Sequence, residues 1–193
     1  IRLSLVGSEM CIRDSKCNRG DLLLIDAGAE CDHYASDITR TFPVSGRFTE
    51  PQKQLYQLVL DAQSAALSEI KPGAPWNAAH DASVKVLTKG LVALGLLKGK
   101  VSKLIKDEAY KTFYMHRIGH WLGMDVHDVG DYKVNGEWRE LEPGMVLTVE
   151  PGLYVAPDCT TVDEQWRGIG IRIEDDVLIT QDGHETVSYT HLR

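Results

Sequence analysis

Along the chain the spacing of apolar residues changes from strand-like to helical and back again. Residues 22–28 (LLLIDAG) form a short apolar run closed by a glycine, which predicts a buried strand. Residues 33–42 (HYASDITRTF) are rich in β-branched and aromatic side chains and predict its partner. Gly46 opens a turn, and Thr49, Glu50, Pro51 and Gln52 then spell a capping box. In that box the threonine and the glutamine three residues later each satisfy an N–H left free at a helix start. Leu55, Leu58, Val59, Ala62, Ala66 and Ile70 keep helical spacing until Pro72-Gly73 stops it. A second helix is predicted over about 77–94, with Val84, Leu87, Leu91 and Leu94 along one side, and a shorter one over about 101–110. Residues 145–150 (MVLTVE) alternate before Pro151-Gly152, residues 169–174 (IGIRIE) alternate again, and 177–180 follow. Asp182-Gly183 is a turn signal before a last strand remnant. A strand pair, then helices, then several strands, without internal repeat, predicts an α+β fold.

Composition narrows the function classes. A chain of 193 residues with 43% hydrophobic and 25% charged residues is sized for one globular domain. Its formal charge of −7 argues against a binder of nucleic-acid phosphates, and no apolar run approaches the roughly 18–20 residues that span a bilayer. Cys11, Cys17, Cys31 and Cys159 form no CxxC pair and no zinc spacing, which fits a reducing cytoplasm. Residues 4–15 (SLVGSEMCIRDS) and 187–193 (VSYTHLR) do not continue the patterns beside them. Both strings resemble translated sequencing-library adapters, so 1–15 and 187–193 are expected to be artefacts flanking a domain over 16–186.

The candidate chemistry rests on Asp26, Asp37, His120, Glu150 and Glu174. Asp26, Glu150 and Glu174 lie on or at the end of apolar strands, where a carboxylate must be neutralised, paired or metal-bound. Each residue also has a plain reading. Asp26 can shape a turn, Asp37 can pair with Arg40, His120 can be a satisfied core histidine, Glu150 can face water, and Glu174 can pair with Arg172. Together and in this order they read as strand ends that gather negative charge in one pocket. Four carboxylates and one imidazole suit Mn, Fe, Co or Zn and poorly suit copper or iron–sulfur. Because carboxylates bridge, such a set can hold two divalent ions about 3.5–4 Å apart. His116 and His120 have i, i+4 spacing without an HExxH pattern, and Gly119 and Gly123 argue against a helix there. His127 beside Asp128 reads as a loop histidine and Arg172 as a counter-ion for the acids.

The blocks LLLIDAGAE…ASDITRTFPVSG, YMHRIGHWLGMDVHDVG, LEPGMVLTVEPGLYVAPD and RGIGIRIEDDVLIT resemble successive motifs of the aminopeptidase P family, in family order from about residue 16 to 185. They are also similar to prolidases, whereas residues 130–142 and the wording GIGIRIEDD lean toward the aminopeptidase. The resemblance implies a pita-bread (creatinase/aminopeptidase) fold, truncated at its N-terminal side. It implies that Asp26 binds one metal with both oxygens and that Asp37 and Glu174 bridge two ions. His120 and Glu150 would complete the second ion, with Glu150 also handling protons. His127 would stabilise the tetrahedral intermediate or the leaving nitrogen, His116 would line the proline pocket, and Arg172 would hold the ligand carboxylates. The implied cofactors are two divalent metal ions, Mn(II) foremost, with Co, Fe or Zn also suited. The implied reaction releases the N-terminal residue from peptides with proline in second position, through a hydroxide held between the metals. A prolidase and a non-catalytic pita-bread binding module are the alternatives, and methionine aminopeptidase shares the ligand set with less similar wording. Expected partners are such peptides and, at full length, further copies of the chain, with no nucleic acid or membrane. A family histidine ahead of the first strand falls on Glu9 here, and the family's N-terminal domain and the first part of its pita-bread domain are absent, so this chain is expected to be poorly stable and weakly active or inactive.

Overall fold

A computed structural model describes residues 16–188. The N-terminal adapter-like string and residues 189–193 of the C-terminal one lie outside the described residues. Val187 and Ser188 are described: the Val187 N–H donates to the Asp176 carbonyl at 2.9 Å, and Ser188 is buried.

The first strand, β1 (Leu22–Ala27), is followed by the short strands β2 (Glu30–Cys31) and β3 (Tyr34–Ala35) and then by β4 (Ile38–Pro43). β1 pairs antiparallel with β4, from Leu22 opposite Pro43 to Ala27 opposite Ile38. Two expectations need correction here. The partner strand does not begin at His33: Asp32 and His33 take left-handed φ values of 49° and 67° and turn a small β2–β3 hairpin. β1 is not buried on both faces either, since Leu23 and Ile25 are exposed while Leu22 and Leu24 pack inward. A two-stranded ribbon covers only one face of an alternating run.

The segment between β1 and β4 positions the later site. The Ser36 hydroxyl accepts the Ala29 N–H at 2.9 Å, and the Ser36 N–H donates to the Ala29 carbonyl at 2.9 Å. A Cβ on Gly28 would fall 1.7 Å from the Ser36 carbonyl oxygen, so only glycine fits this crossing. Gly28→Ala is expected to lower stability by about 1–3 kcal/mol, the usual range for overpacking, and the melting temperature by several degrees. A thermal melt unchanged within a degree would contradict that crossing.

Helix α1 (Glu50–Glu69) opens on the expected box, with the Thr49 N–H donating to the Gln52 side chain at 2.9 Å and the Gln52 N–H reaching the Thr49 hydroxyl. It packs on α2 (Asn77–Ala93), where a Cβ on Gly90 would lie 2.2 Å from Leu58, so glycine lets the two helices approach closely. Helix α3 (Val101–Lys106) stops short of Tyr110 because Glu108 turns left-handed, at φ 53°, ahead of a separate single 3-10 turn. A hairpin of β5 (Lys133–Val134) and β6 (Glu137–Trp138) turns at Asn135-Gly136, both at positive φ.

The C-terminal strands are β7 (Val146–Val149), β8 (Gly152–Tyr154), β9 (Gly170–Arg172), β10 (Asp175–Ile179) and β11 (His184–Thr186). β10 is the middle of a three-stranded antiparallel sheet with β7 and β11, while β8 pairs with β9. The expected strand over 169–174 ends early, so that Glu174 sits in the junction between β9 and β10. α1 joins two apolar cores. Its Leu55 and Val59 pack with Ile171 and Trp166, and its Ala66 packs with Leu147 and Val177.

Candidate metal centre

Each candidate carboxylate stands where a strand begins or ends. Asp26 lies late in β1, opposite Thr39 of β4, and Asp37 immediately precedes β4. Glu150 follows β7, and Glu174 precedes β10. His120 lies on an extended segment beside β7: the Thr148 N–H donates to the His120 carbonyl at 3.0 Å, and the Glu150 N–H donates to the Ile118 carbonyl at 2.7 Å. The i, i+4 histidines therefore do not share a helix, as the glycines suggested. A Cβ on Gly119 would come within 1.9 Å of the Thr148 carbonyl oxygen, so this close pairing needs glycine.

Asp37, His120 and Glu174 each offer a ligand atom, and these atoms lie within 4.8 Å of one another. The His120 Nε2 is 3.4 Å from Asp37 Oδ2 and 3.7 Å from Glu150 Oε1. Asp26 completes the group beside Asp37, whose carboxyl helps to raise its pKa. The other ring nitrogen of His120, Nδ1, is 3.0 Å from the Trp121 carbonyl, an acceptor that only an N–H can satisfy. Nε2 is thereby the nitrogen turned toward the carboxylates, free to offer a lone pair once it gives up its proton, the arrangement of a metal-binding histidine.

The plain pairings that the spacing suggested are not formed. Arg40 reaches Asp175 at 2.6 Å instead of Asp37, and Arg172 donates to Asp26 at 2.5 Å instead of to Glu174. Glu174 accepts a 2.5 Å hydrogen bond from the Thr39 hydroxyl, which in turn accepts from the Arg172 Nε at 3.1 Å.

The acids repel one another. Burial, and then the neighbouring Glu150 and Asp37 charges, push Glu174 up to about 9. Burial raises Glu150 to about 7 against the pull of His120 and Arg172. Burial and the hydrogen bond with Asp37 raise Asp26 to about 6. Burial also acts upward on Asp37, but the His120 imidazole and the Asp26 hydrogen bond together hold it below its ordinary value. Carboxylates this strained, around an imidazole with its Nε2 turned inward, match what divalent cations require of a binding site. Beside the Asp26–Asp37 pair opens a cleft of about 280 Å³, walled by Gly28, Glu30, Met124 and Asp125 among others.

The remaining candidates surround this group. The His116 Nδ1 lies 2.8 Å from the Arg117 carbonyl, so its Nε2 accepts from the Tyr154 hydroxyl at 2.9 Å. The Tyr154 oxygen accepts from Arg172 Nη1 at 3.2 Å, which links His116 to Arg172 and onward to Asp26. The exposed His127 ring stands edge-on to His120, with centroids 4.3 Å apart. Sequence reasoning missed Tyr154, Thr39 and Thr148. The only signal for Tyr154 was its place in a short apolar segment after the Pro151-Gly152 break.

An α+β fold that gathers four carboxylates and one imidazole at its strand ends defines a metallohydrolase class of protein. The chain belongs to metallopeptidase family M24, whose model matches residues 7–181, and its fold is the pita-bread type. It is 51% identical over 187 residues to the Xaa-Pro aminopeptidase of Haemophilus influenzae, covering 94% of this chain and 43% of that protein. The solved structure of Pseudomonas aeruginosa aminopeptidase PepP matches with a TM-score of 0.91 and 64% identity, over 92% of this chain and 40% of that one. A Zn-substituted Escherichia coli aminopeptidase P in complex with product matches with a TM-score of 0.86 and 52% identity, over 90% of this chain and 39% of that one. The chain thus spans about two fifths of the length of these relatives.

Proposed function

We propose that this chain is the metal-binding core of an Xaa-Pro aminopeptidase, releasing the residue that precedes a proline at a peptide's N-terminus. The observation that carries this reading is the meeting of Asp26, Asp37, His120, Glu150 and Glu174 in one site, on a chain about half identical to Xaa-Pro aminopeptidases. These residues would hold two divalent ions, and oxygen-rich ligation favours Mn(II), with Co, Fe or Zn as substitutes. When bound, the ions supply an activated water and polarise the scissile carbonyl. Arg172 holds Asp26 in place, and Thr39 holds Glu174. Glu150 lies within 4.0 Å of both His116 and His120, where it can carry a proton between the water and the leaving nitrogen. His116, fixed by Tyr154, would line the pocket for the substrate proline, and His127, edge-on to His120, would stabilise the tetrahedral intermediate or the leaving nitrogen.

The described cysteines, Cys17, Cys31 and Cys159, are unpaired, which supports a cytoplasmic setting. Among the described residues no helix is long and apolar enough to cross a membrane. Assembly with further copies at full length also belongs to this proposal, on family resemblance.

The test is metal analysis of this chain, together with cleavage by the chain fused behind the preceding part of Pseudomonas aeruginosa aminopeptidase PepP. About two equivalents of Mn(II), and release of the first residue from an Xaa-Pro-Xaa tripeptide but not from an Xaa-Pro dipeptide, are expected. Cleavage of the dipeptide instead would make the protein a prolidase. No bound metal and no cleavage would leave a non-catalytic binding module.

A further inference from the structure

We propose that Asp176 is a positioning residue of the metal centre: its carboxylate grips the backbone N–H of Asp37 and so sets where the Asp37 carboxylate stands. The inference rests on the metal-site reading above. Asp37 comes at the end of the loop that crosses Gly28, one residue before the β4 ladder with β1 begins. Its N–H donates instead to Asp176 Oδ2 at 3.1 Å, across 139 residues of sequence. A loop residue whose side chain must meet others within a few tenths of an ångström needs such a fixed backbone, and outer partners of this kind tune metal affinity.

The place of Asp176 suits the task. It follows Asp175 in β10, so the two side chains point to opposite faces. Asp175 is spent on structure, since its Oδ1 accepts from Arg40 and Ser188 and its Oδ2 from Gln63 of α1. Asp176 turns the other way, toward the metal centre. Across the ladder it faces Thr148 of β7, whose hydroxyl accepts the His120 N–H at 3.1 Å. One cross-strand pair therefore holds the backbones of two candidate ligands, Asp37 through Asp176 and His120 through Thr148.

A purely structural role accounts poorly for Asp176. It is 3% exposed, and its Oδ1 takes no hydrogen bond from the described residues. Burying a carboxylate for a single backbone N–H is unfavourable, and a strand interior would be served better by valine or threonine. The carboxylate is retained where its one bond falls on a ligand backbone.

The test uses the 193-residue chain with Mn(II) alone, titrated calorimetrically and counted by electron paramagnetic resonance, alongside melts of the metal-free forms. Asp176→Ala is expected to weaken binding of one equivalent about 10–100-fold. Asp176→Asn keeps an acceptor oxygen for the Asp37 N–H and is expected to bind both equivalents as the parent does. Parent-like affinity in Asp176→Ala overturns the inference. So does Asp176→Asn as weak as Asp176→Ala, because the charge and not the grip would then matter. Should Asp176→Ala fail to fold, amide exchange in Asp176→Asn decides. An Asp37 amide as slow as in the parent, with both equivalents bound, supports the grip. A fast amide with both equivalents still bound overturns it. A parent chain that binds no metal at all would instead sink the metal-site reading.

Discussion

Asp37→Ala is expected to remove at least one of two bound metal equivalents and, in the chain fused behind the preceding part of Pseudomonas aeruginosa aminopeptidase PepP, to lower Xaa-Pro cleavage by about 10³-fold or more, the scale of several kcal/mol of transition-state stabilisation. Asp37 lies 3.4 Å from His120 Nε2, and its charge adds to the field that raises Asp26 and Glu174. Removing its carboxylate therefore empties the middle of the group rather than its edge. The metal-free protein should respond differently. Losing Asp37 takes away an attraction to His120 but also relieves repulsion on Glu174, so the apo melting temperature is expected to move little. Metal-induced stabilisation, in contrast, should largely vanish, because it follows from binding to the folded state alone. A structural acid would show the opposite pattern, with a large loss of apo stability and unchanged metal content. Metal analysis, melts with and without Mn(II), and product release from a tripeptide separate the two. Two equivalents retained with normal turnover would remove Asp37 from the site.

Three of the five candidate residues carry a local signal, whereas Asp37 and His120 stand out only in the company of the others and of the family motifs. Asp26, Glu150 and Glu174 each interrupt an apolar run, and a charge at such a break is anomalous without knowledge of the fold. The capping box at Thr49 was legible on the same grounds, since both of its hydrogen bonds close within three residues. What holds the acids in place was not legible. The Arg172–Asp26 pair spans 146 residues and the Asp176–Asp37 contact 139, and neither partner carries a local anomaly that points to the other. Local spacing even pointed elsewhere, to Asp37 with Arg40 and to Glu174 with Arg172. Arg40 instead crosses to Asp175, because β4 lies against β10. Strand ends failed similarly. The β2–β3 turn falls on Asp32 and His33, which tolerate positive φ less readily than the Asn135-Gly136 turn, so residues 33–42 read as continuous. Glu174 appeared to close a strand, whereas the chain leaves β9 before it and re-enters the sheet at Asp175.

Stripped of metal, the folded chain should lose stability as pH rises from about 5 toward 9, and Mn(II) should bind more tightly over the same range. Glu174 stands at about 9 in the folded state against 4.5 for an ordinary glutamate, and Glu150 at about 7. A group raised in this way keeps its proton in the folded protein after the unfolded chain has lost it. Its contribution is complete below the unfolded value and is lost as pH climbs through the folded one. His120, also raised, acts in the same direction, whereas Asp37, lowered, contributes stability that is complete above its unfolded value and is lost as pH falls through its folded one. His80 and His116 are lowered, chiefly by burial, and oppose the trend below about pH 6.5, so the raw curve mixes two effects. Comparison with Glu174→Gln isolates the acid, since its curve should be flatter between pH 6 and 9. Ligands must be deprotonated to coordinate, so Mn(II) binding at pH 7 is expected to release about one to two protons, mostly from Glu174 and Glu150. Calorimetry in two buffers of different ionisation enthalpy reads that number directly. Metal affinity independent of pH, with no proton released, would mean that the acids are already charged and separated in solution. The crowded arrangement of Asp26, Asp37, Glu150 and Glu174 could then not be the resting state of the metal-free chain.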